Sequence, residues 1–371
     1  MNSFRTLPSP SSAKARLQKR ARGRCIPLPQ GERRSAISFV LVALIALGVP
    51  GAALAQNAFY RGKTVTLVVS DAAGGGYDIM ARTIAKYLGS HIAGSPRIVV
   101  QNMPGAGGIV AMNYLYTTAP KDGTMIAAVD NNTPVEPLLG TPEARYDARR
   151  FNWLGSPTVE TGLVIVWHTV PVNSVDDLRK HETSMGASGA NSTPSFYARL
   201  INATLGTKMK IVAGYTGQTD VYLAMERGEV DGAPSIFLNT LNTTQPNWRT
   251  DKKIKVLLQY GLERAPSLPN VPSALDVAKS PDDKMLLKAG LAEVGLGRPY
   301  LMPPGVPAPL VAEMRKAFAA TFADPAFLAD TRRMNLGVDA PRSGEQLAKT
   351  IDDAYRTPPD IVQRLRKLSL H

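Results

Sequence analysis

Cysteine is almost absent from this chain of 371 residues, in which Cys25 is the only one. A single cysteine excludes an intramolecular disulfide and a zinc site built from several thiolates. Histidine is scarce as well, and its four copies show no His-Glu-x-x-His or other paired spacing typical of metal ligands. The sequence therefore predicts no metal site and no bound cofactor.

Long apolar segments are also lacking. The one candidate, residues 36–48, has about 13 residues, whereas a membrane-spanning helix needs about 20. Arg33 and Arg34 precede this segment, and the Ala-Leu-Ala sequence at residues 53–55 has the small-x-small pattern of a cleavage site. We therefore predict that residues 1–55 are an N-terminal extension and a signal peptide, cut after Ala55 for secretion to the periplasm. The paired arginines leave the general and the twin-arginine export routes open.

The leader contributes much of the positive charge. Residues 1–55 hold nine of the 43 lysines and arginines and one of the 30 acidic residues, so the formal net charge of +13 falls to about +5 without them. Cys25 leaves with them, so the mature chain has no thiol nucleophile. A charge this small does not predict nucleic acid binding, although it favours the approach of small organic anions. The remainder is long enough for two ordinary domains.

The most informative stretch, residues 65–86, reads VTLVVSDAAGGGYDIMARTIAK. An apolar segment typical of a buried parallel strand is followed by three glycines and then by apolar residues at helical spacing. A junction between a strand and a helix start leaves backbone N–H groups unpaired and favours an anion. This pattern indicates a cradle for a carboxylate or phosphate, although similar turns occur with no ligand. The glycine spacing fits neither a phosphate loop nor a dinucleotide fingerprint.

Strands, small-residue turns and helices alternate along the rest of the chain. This alternation predicts an α/β fold with mainly parallel sheets flanked by helices. We expect one domain from residues 56–160, a second from residues 161–280, and a return to the first over residues 281–371. Two such domains joined by a hinge would form a clamshell with turns from both sides facing one cleft.

A serine hydrolase is the competing class of protein. The sequence Gly-Ala-Ser-Gly-Ala at residues 186–190 lacks the last glycine of the G-x-S-x-G motif, and a nucleophilic serine needs a histidine base. The scarcity of histidine makes such a pair difficult to assemble. We therefore predict a protein that is not an enzyme.

Eight stretches occur in the order found in one known family. They are residues 72–78 (AAGGGYD), 102–108 (NMPGAGG), 122–124 (DGT), 186–194 (GASGANSTP), 214–217 (GYTG), 227–232 (RGEVDG), 268–272 (LPNVP) and 303–307 (PPGVP). As an ordered set they resemble the extracytoplasmic solute receptors of the tripartite tricarboxylate transporters, also called Bug receptors. The similarity covers nearly all of residues 60–339.

The resemblance implies a monomeric periplasmic binding protein with a type II-like clamshell of two α/β domains. Its ligand would be a small organic anion: a di- or tricarboxylate, an aromatic carboxylate or an acidic amino acid. The receptor would deliver this solute to the membrane subunits of the transporter. A sensing role, in which the protein signals to a membrane kinase, stays open beside transport.

By position, the resemblance implies solute contacts from loops of both domains. The first-domain contacts would be Ser70, Ala73, Gly74, Gly75, Tyr77 and Asp78. The second-domain contacts would be Ser188, Asn191, Ser192, Thr193, Tyr215 and Thr216. We add Asn131, which ends a strand on the expected cleft side. None of these residues is lysine or arginine, so backbone N–H groups and hydroxyls would bind the anion.

Several of these positions have a structural alternative. Asp78 could accept a hydrogen bond from the solute or cap the helix that it begins. Residues 191–193 could contact the solute or form an ordinary N-cap cluster, and Tyr77 could be a pocket wall or part of the core. Tyr215 lies in a turn, which favours a place in the pocket. The chain also departs from the family, which often has proline at Ser70 and histidine at Phe196.

Overall fold

Two β-sheets organise the chain. The structure, a computed structural model, describes residues 59–190, 192–338 and 340–369, so the expected leader and its cleavage after Ala55 lie outside the described residues. In chain order the strands are β1 (Thr64–Val69), β2 (Arg97–Asn102), β3 (Met125–Ala128), β4 (Asn152–Ser156), β5 (Gly162–Trp167), β6 (Thr183–Ala187), β7 (Met209–Ala213), β8 (Gly232–Phe237), β9 (Ile254–Tyr260), β10 (Tyr300–Met302) and β11 (Arg342–Ser343). The first sheet has the order β11-β4-β10-β3-β1-β2, and the second has the order β7-β6-β8-β5-β9.

Helices connect most of these strands and cover both sheets. In chain order they are α1 (Gly76–Leu88), α2 (Ile109–Thr117), α3 (Glu136–Leu139), α4 (Val175–Lys180), α5 (Thr193–Leu205), α6 (Gln218–Arg227), α7 (Leu238–Thr244), α8 (Ala274–Val277), α9 (Pro281–Gly290), α10 (Ala292–Leu296), α11 (Ala308–Ala323), α12 (Pro325–Arg333), α13 (Gly344–Tyr355) and α14 (Pro359–Ser369). Within the described residues, no helix is both long and apolar enough to cross a bilayer.

The predicted α/β architecture with two sheets is confirmed, but both sheets are mixed. Strand β1 pairs in parallel with β2 and β3, and β6 pairs in parallel with β7 and β8. Strand β10 is antiparallel to β3 and β4, and β5 is antiparallel to β8 and β9. Strands β4, β6 and β11 were not predicted. Strands β4 and β6 each contain a glycine and few β-branched residues, β11 has only two residues, and their pairing partners stabilise them.

Each sheet is buried on both faces. The first sheet packs α1 and α11 on one face, where Ile84 and Phe318 are fully buried, and α2 and α13 on the other. The second sheet packs α5 on one face, where Tyr197 is fully buried, and α6 on the other. Side chains of this size each stabilise the fold by roughly 1.5–3 kcal/mol when fully buried.

Two late helices belong to the core of the second sheet. Leu287 of α9 and Leu365 of α14 pack in the cluster that includes α5 and β9. The sequence analysis assigned residues 281–371 to the first domain, and helices α11, α12 and α13 do pack on the first sheet. The domain boundaries stay a prediction, but the return segment contributes to both cores.

Two crossings, after β4 and before β10, connect the strands of the two sheets, and they are hydrogen-bonded to each other. The Ser156 hydroxyl donates to the Thr158 carbonyl at 2.8 Å and accepts from the Arg298 N–H at 2.9 Å. Gly297 has a φ of +63°, and a Cβ atom placed on it would lie 1.9 Å from the Thr158 carbonyl oxygen. Only glycine fits at this close approach of two backbones.

We predict that Gly297→Ala destabilises the protein by about 3 kcal/mol, because it adds a backbone clash to an unfavourable φ. The matched control is Gly228→Ala at the end of α6, where φ is +74° but nothing lies within 4 Å of an added Cβ. This control should cost about 1 kcal/mol, for the conformation alone. Urea unfolding measures both values. Equal losses in the two variants would contradict the proposed contact at the crossing.

Candidate functional site

The predicted site residues lie in the turns at the carboxyl ends of parallel strands and in the first turns of the helices that follow them. Ser70, Ala73, Gly74, Gly75, Tyr77 and Asp78 follow β1, and Asn131 follows β3. Ser188, Ser192 and Thr193 follow β6, while Tyr215 and Thr216 follow β7; Asn191 lies outside the described residues. Since carboxyl ends of parallel strands share one edge of a sheet, each sheet presents its predicted residues along one edge.

The turn after β1 opens a helix that has no side-chain cap. Gly75 is the N-cap residue of α1, and no side chain caps the helix there. Gly74 has a φ of +86° with nothing within 4 Å of an added Cβ, and both Ala73 and Gly74 are exposed. The N–H groups of the first helical turn therefore have no described side-chain acceptor, which is the arrangement of an anion site at a helix start.

Asp78 is buried and holds this turn together. Its Oδ2 atom accepts from the Arg82 Nε at 2.9 Å and from the Gly74 N–H at 2.8 Å, and its Oδ1 atom accepts from the Asn102 Nδ2 at 2.9 Å. The Arg82 hydrogen bond is the largest of the effects that lower the pKa of Asp78 to about 2. The carboxylate is therefore charged at neutral pH and already has three donors. Contact between Asp78 and a solute stays a prediction.

Ser70 joins the turns after β1 and β3. Its side chain is buried, its hydroxyl donates to Asp130 Oδ2 at 3.0 Å, and the same oxygen accepts from the Asp130 N–H at 3.0 Å. Burial raises the pKa of Asp130. Gly108 packs against this pair, because an added Cβ would lie 2.9 Å from Asp130 Oδ2. The Ser70 hydroxyl is thus engaged within the protein.

Tyr77 links the turn after β1 to the crossing between the sheets. Its hydroxyl accepts from the Asn131 N–H at 3.2 Å and lies 3.5 Å from the Gly297 carbonyl oxygen, to which it donates. Burial is the main reason why the pKa of Tyr77 is raised, so the phenol is neutral at physiological pH. Tyr77 is half-buried, so it belongs partly to the core and partly to the surface of the turn.

Arg298 is a basic residue beside this turn that the sequence analysis did not include. Its Nη1 donates to the Gly76 carbonyl at 2.8 Å, and its guanidinium carbon lies 5.5 Å from the centroid of the Tyr77 ring. It comes from the segment that returns to the first sheet at β10, more than 200 positions after Tyr77 in the chain. No motif around Arg298 indicated this proximity.

The turn after β6 uses its serines internally. The Ser192 and Ser195 hydroxyls donate to the Gly189 carbonyl at 2.7 Å and 2.6 Å. Helix α5 then begins at Thr193 without a side-chain cap, and Ser188 and Thr193 are exposed. The serines therefore shape the turn, and the first N–H groups of α5 are not capped by them.

The turn after β7 contributes one aromatic residue and one hydroxyl. Tyr215 is half-buried, packs against the second sheet's core and donates its N–H to the Ala187 carbonyl at 3.4 Å. The Thr216 hydroxyl donates to the Asp220 carboxylate in the first turn of α6. The contact between these two turns agrees with the parallel pairing of β6 and β7.

A cavity of about 410 Å³ is lined by residues that follow strands of both sheets. Asn131, from the turn after β3, and Thr193, at the start of α5, are the predicted site residues in its lining. The other described members of the predicted set are not among its lining residues. Its described lining residues are Asn131, Asn132, Val135, Glu136, Leu138, Leu139, Thr193, Phe196, Phe237, Ala289, Gly290, Glu293, Leu365 and Ser369.

Glu293 is the second charged residue that sequence reasoning missed. It lies in α10, lines the cavity, and its Oε1 atom accepts from the hydroxyl of the buried Tyr197. Burial raises the pKa of Glu293, and the neighbouring Glu136 adds to the effect. The short helix α10 has no motif that distinguishes Glu293 from an ordinary surface glutamate. Over the described residues, no group of three or more potential metal-ligating side chains occurs.

We predict that Asp78→Asn destabilises the protein by about 2 kcal/mol, because it weakens charge-assisted hydrogen bonds in a buried position. Asp353→Asn is the control, since Asp353 forms a similar ion pair four residues from Lys349 but is 52% exposed. The control should lose less than about 0.5 kcal/mol. Chemical denaturation measures both values, and equal losses would contradict the structural role of Asp78.

The lowered pKa also predicts how Asp78 affects acid stability. A carboxylate with a depressed pKa stabilises the fold above its unfolded value of 3.8, and this contribution disappears as the pH falls towards 2. The wild-type protein should therefore lose more stability between about pH 4 and pH 2 than Asp78→Asn does. Unfolding curves across this range test the difference. Parallel pH profiles would contradict it.

Comparison with known proteins finds a matching family. A family model described as the tripartite tricarboxylate transporter family receptor matches residues 80–366. A UPF0065 protein of Bordetella bronchiseptica is 24% identical over 308 residues, which cover 82% of this chain and 84% of the relative.

Solved structures share the fold. A TctC solute-binding protein from Polaromonas has a TM-score of 0.64 at 18% identity, covering 83% of this chain and 98% of its own. The periplasmic binding protein BugD has a TM-score of 0.51 at 21% identity, covering 84% and 99%. MatC from Rhodopseudomonas palustris, with bound malate, has a TM-score of 0.52 at 22% identity, covering 83% and 99%. The predicted fold class, that of a two-domain periplasmic binding protein, is thereby confirmed. Because the family model matches well over half of the sequence, the chain belongs to the tripartite tricarboxylate transporter receptor family.

Proposed function

We propose that this protein is a periplasmic receptor that binds a small carboxylate-bearing solute between its two sheets and delivers it to the membrane subunits of a tripartite tricarboxylate-type transporter. The observation that supports this most directly is the cavity that contains both Asn131 and Thr193. A solute in it would contact turns from both sheets, as a clamshell receptor requires.

Three features favour a carboxylate as the bound group. Helices α1 and α5 both begin at the cleft-side turns without a side-chain cap. The N-terminus of a helix attracts an anion through its free N–H groups and its dipole. Arg298 adds a guanidinium beside the first of these helix starts. The malate bound to the structurally similar MatC supports the same class of ligand.

The crossing between the sheets supports a closing motion that depends on the solute. Tyr77 contacts the Gly297 carbonyl at the crossing and belongs to the same turn as Gly74 and Gly75. A solute that binds this turn would lie beside Tyr77, whose hydroxyl is hydrogen-bonded to the Gly297 carbonyl at the crossing. Binding would therefore favour one relative arrangement of the two sides by its difference in affinity for the open and closed states.

Export to the periplasm and a monomeric state complete the proposal. The signal peptide pattern ending at Ala55 supports export. The family to which the chain belongs supports delivery to membrane subunits. The membrane subunits must distinguish the receptor with solute from the receptor without it. A hinged receptor allows this, because closure changes the surface that it presents.

We predict that at least one compound in a panel of di- and tricarboxylates, aromatic carboxylates and acidic amino acids raises the melting temperature of the mature protein. At about 100 times the dissociation constant, a ligand stabilises the folded state by about 2.7 kcal/mol, which corresponds to about 5 °C for a chain of this size. Differential scanning fluorimetry with each compound measures the shift. A panel without any shift would contradict the receptor proposal.

We further predict that Gly75→Asp removes this shift for a solute that carries a second carboxylate, which would bind at the start of α1. The substitution places a carboxylate at the helix start, next to Asp71, whose Oδ2 lies 3.1 Å from an added Cβ. A negative charge there repels the carboxylate of the solute. Ala312→Asp adds the same charge at an exposed position of α11 and should leave the shift unchanged. If both variants keep the shift, the turn after β1 does not bind the solute.

A further inference from the structure

The cavity shared by Asn131 and Thr193 has negative side-chain charge only. Its described lining includes Glu136 and Glu293, and no lysine, arginine or histidine occurs among those lining residues. A carboxylate group of a solute placed against these glutamates would be repelled. The part of the solute that faces them must therefore be neutral or positive.

Only one oxygen of the two glutamates has no donor within the described residues. Glu136 Oε1 accepts from Asn132 Nδ2 at 3.2 Å, and its Oε2 accepts from the Thr141 hydroxyl at 2.5 Å. Glu293 receives the Tyr197 hydroxyl on Oε1, and within the described residues no donor reaches its Oε2. Glu293 Oε2 therefore has both of its lone pairs available to a donor group of a solute.

No positively charged side chain is among the described titratable groups that interact with Glu293. The titratable groups that interact with it are the phenols of Tyr197 and Tyr260 and the carboxylate of Glu136, and none of them is a cation. Burial without a positive partner raises the pKa of Glu293. A cationic group in the cavity would stabilise the charged form, because an opposite charge compensates for lost hydration.

Aromatic rings accompany this carboxylate. Phe196, in the first turn of α5, and Phe237, at the end of β8, are both half-buried and line the same cavity. The faces of aromatic rings attract ammonium groups, including methylated ones. A carboxylate combined with two such rings is the chemistry that recognises an organic ammonium group.

The start of helix α5 at Thr193 favours a negatively charged group, unlike the surroundings of Glu293. Helix α5 begins there without a side-chain cap, and the hydroxyls of Ser192 and Ser195 are engaged by the Gly189 carbonyl. The positive end of the dipole of this 13-residue helix therefore meets the cavity. One cavity thus has an end that favours an anion and an end that favours a cation.

We propose that the solute is a zwitterion, with its carboxylate at the start of α5 and an ammonium or methylated ammonium group at Glu293, against Phe196 and Phe237. This inference rests on the proposed receptor function and narrows its ligand. It selects amino-substituted carboxylates and disfavours plain di- and tricarboxylates.

Isothermal titration of the wild-type mature protein with two matched series tests the inference. In the first series a carboxylate is joined through three methylene groups to a variable end group. The end group is methyl in pentanoate, carboxylate in glutarate, ammonium in 4-aminobutyrate and trimethylammonium in 4-trimethylammoniobutyrate. The second pairs L-leucine with 4-methylpentanoate. We expect an ammonium compound to bind about 10- to 100-fold more tightly than its partners without nitrogen, as a charge-assisted hydrogen bond predicts. The ratio of the two ammonium compounds distinguishes a primary from a methylated group.

Glu293→Gln tests the residue itself. The amide oxygen can still accept from Tyr197, so the unliganded melting temperature should stay at or above that of the wild type. The variant should lose the preference for ammonium, with affinity for 4-aminobutyrate or L-leucine falling about 10-fold or more and that for pentanoate unchanged or higher. Glu229→Gln removes an exposed charge, 50% exposed, and should keep the preference.

Three results would overturn the inference. The first is that pentanoate, glutarate or 4-methylpentanoate binds as tightly as its ammonium counterpart. The second is that Glu293→Gln keeps the preference, and the third is that no ammonium compound binds. In each case the panel of carboxylates decides separately whether the receptor function stands, because a melting-temperature shift with any di- or tricarboxylate would preserve that function.

Discussion

The hydroxyl of Tyr77 is the point at which three parts of the molecule meet. It accepts from the N–H of Asn131, faces the carbonyl of Gly297, and belongs to the residue that follows the glycine turn. The turn after β1, the rim of the cavity and the crossing between the sheets are therefore connected through one side chain.

The acidic residues Asp78 and Asp130 of the first sheet's turns are hydrogen-bonded within the protein. Asp78 is bonded to Arg82, and Asp130 is bonded to Ser70. Arg298 adds a positive charge beside Gly76. Glu293 differs from these acids, since its described donor is a phenol and no cation is among the described titratable groups that interact with it. The start of α1 and the surroundings of Glu293 therefore differ in their charge.

The return segment explains how residues far apart in the sequence come to share one cavity. Helices α9 and α14 pack on the second sheet, and their residues Gly290 and Leu365 line the cavity. A Cβ on Gly290 would lie 2.6 Å from Leu200 Cδ2, so α9 approaches α5 closely. The same segment then supplies Glu293, Gly297 and Arg298 before it joins the first sheet at β10. The segment from α9 to β10 thus forms part of the cavity lining and one crossing between the sheets, and it supplies Arg298 beside the turn after β1.

The sequence by itself determined the local features. Hydrophobic alternation and small-residue turns predicted the α/β class, most helices and the places where helices begin, because these depend on neighbours a few positions apart. The three glycines also indicated the junction between β1 and α1, but Asp78, a predicted alternative cap, does not cap the helix and accepts from the Gly74 N–H instead. Strands β4 and β6 were missed, since glycine-containing segments become strands only when partners pair with them. The contacts of the predicted solute residues stay predictions, and Asn191 lies outside the described residues.

Only the tertiary structure decided which side chains meet. The contact of Asp78 with Asn102, and that of Ser70 with Asp130, depend on strands that are adjacent in space but distant in sequence. Arg298 and Glu293 have no local pattern that marks them, and they reach the turn and the cavity because the chain crosses between the sheets at Gly297. Charge and burial act through space, whereas a sequence pattern records only the order of residues along the chain.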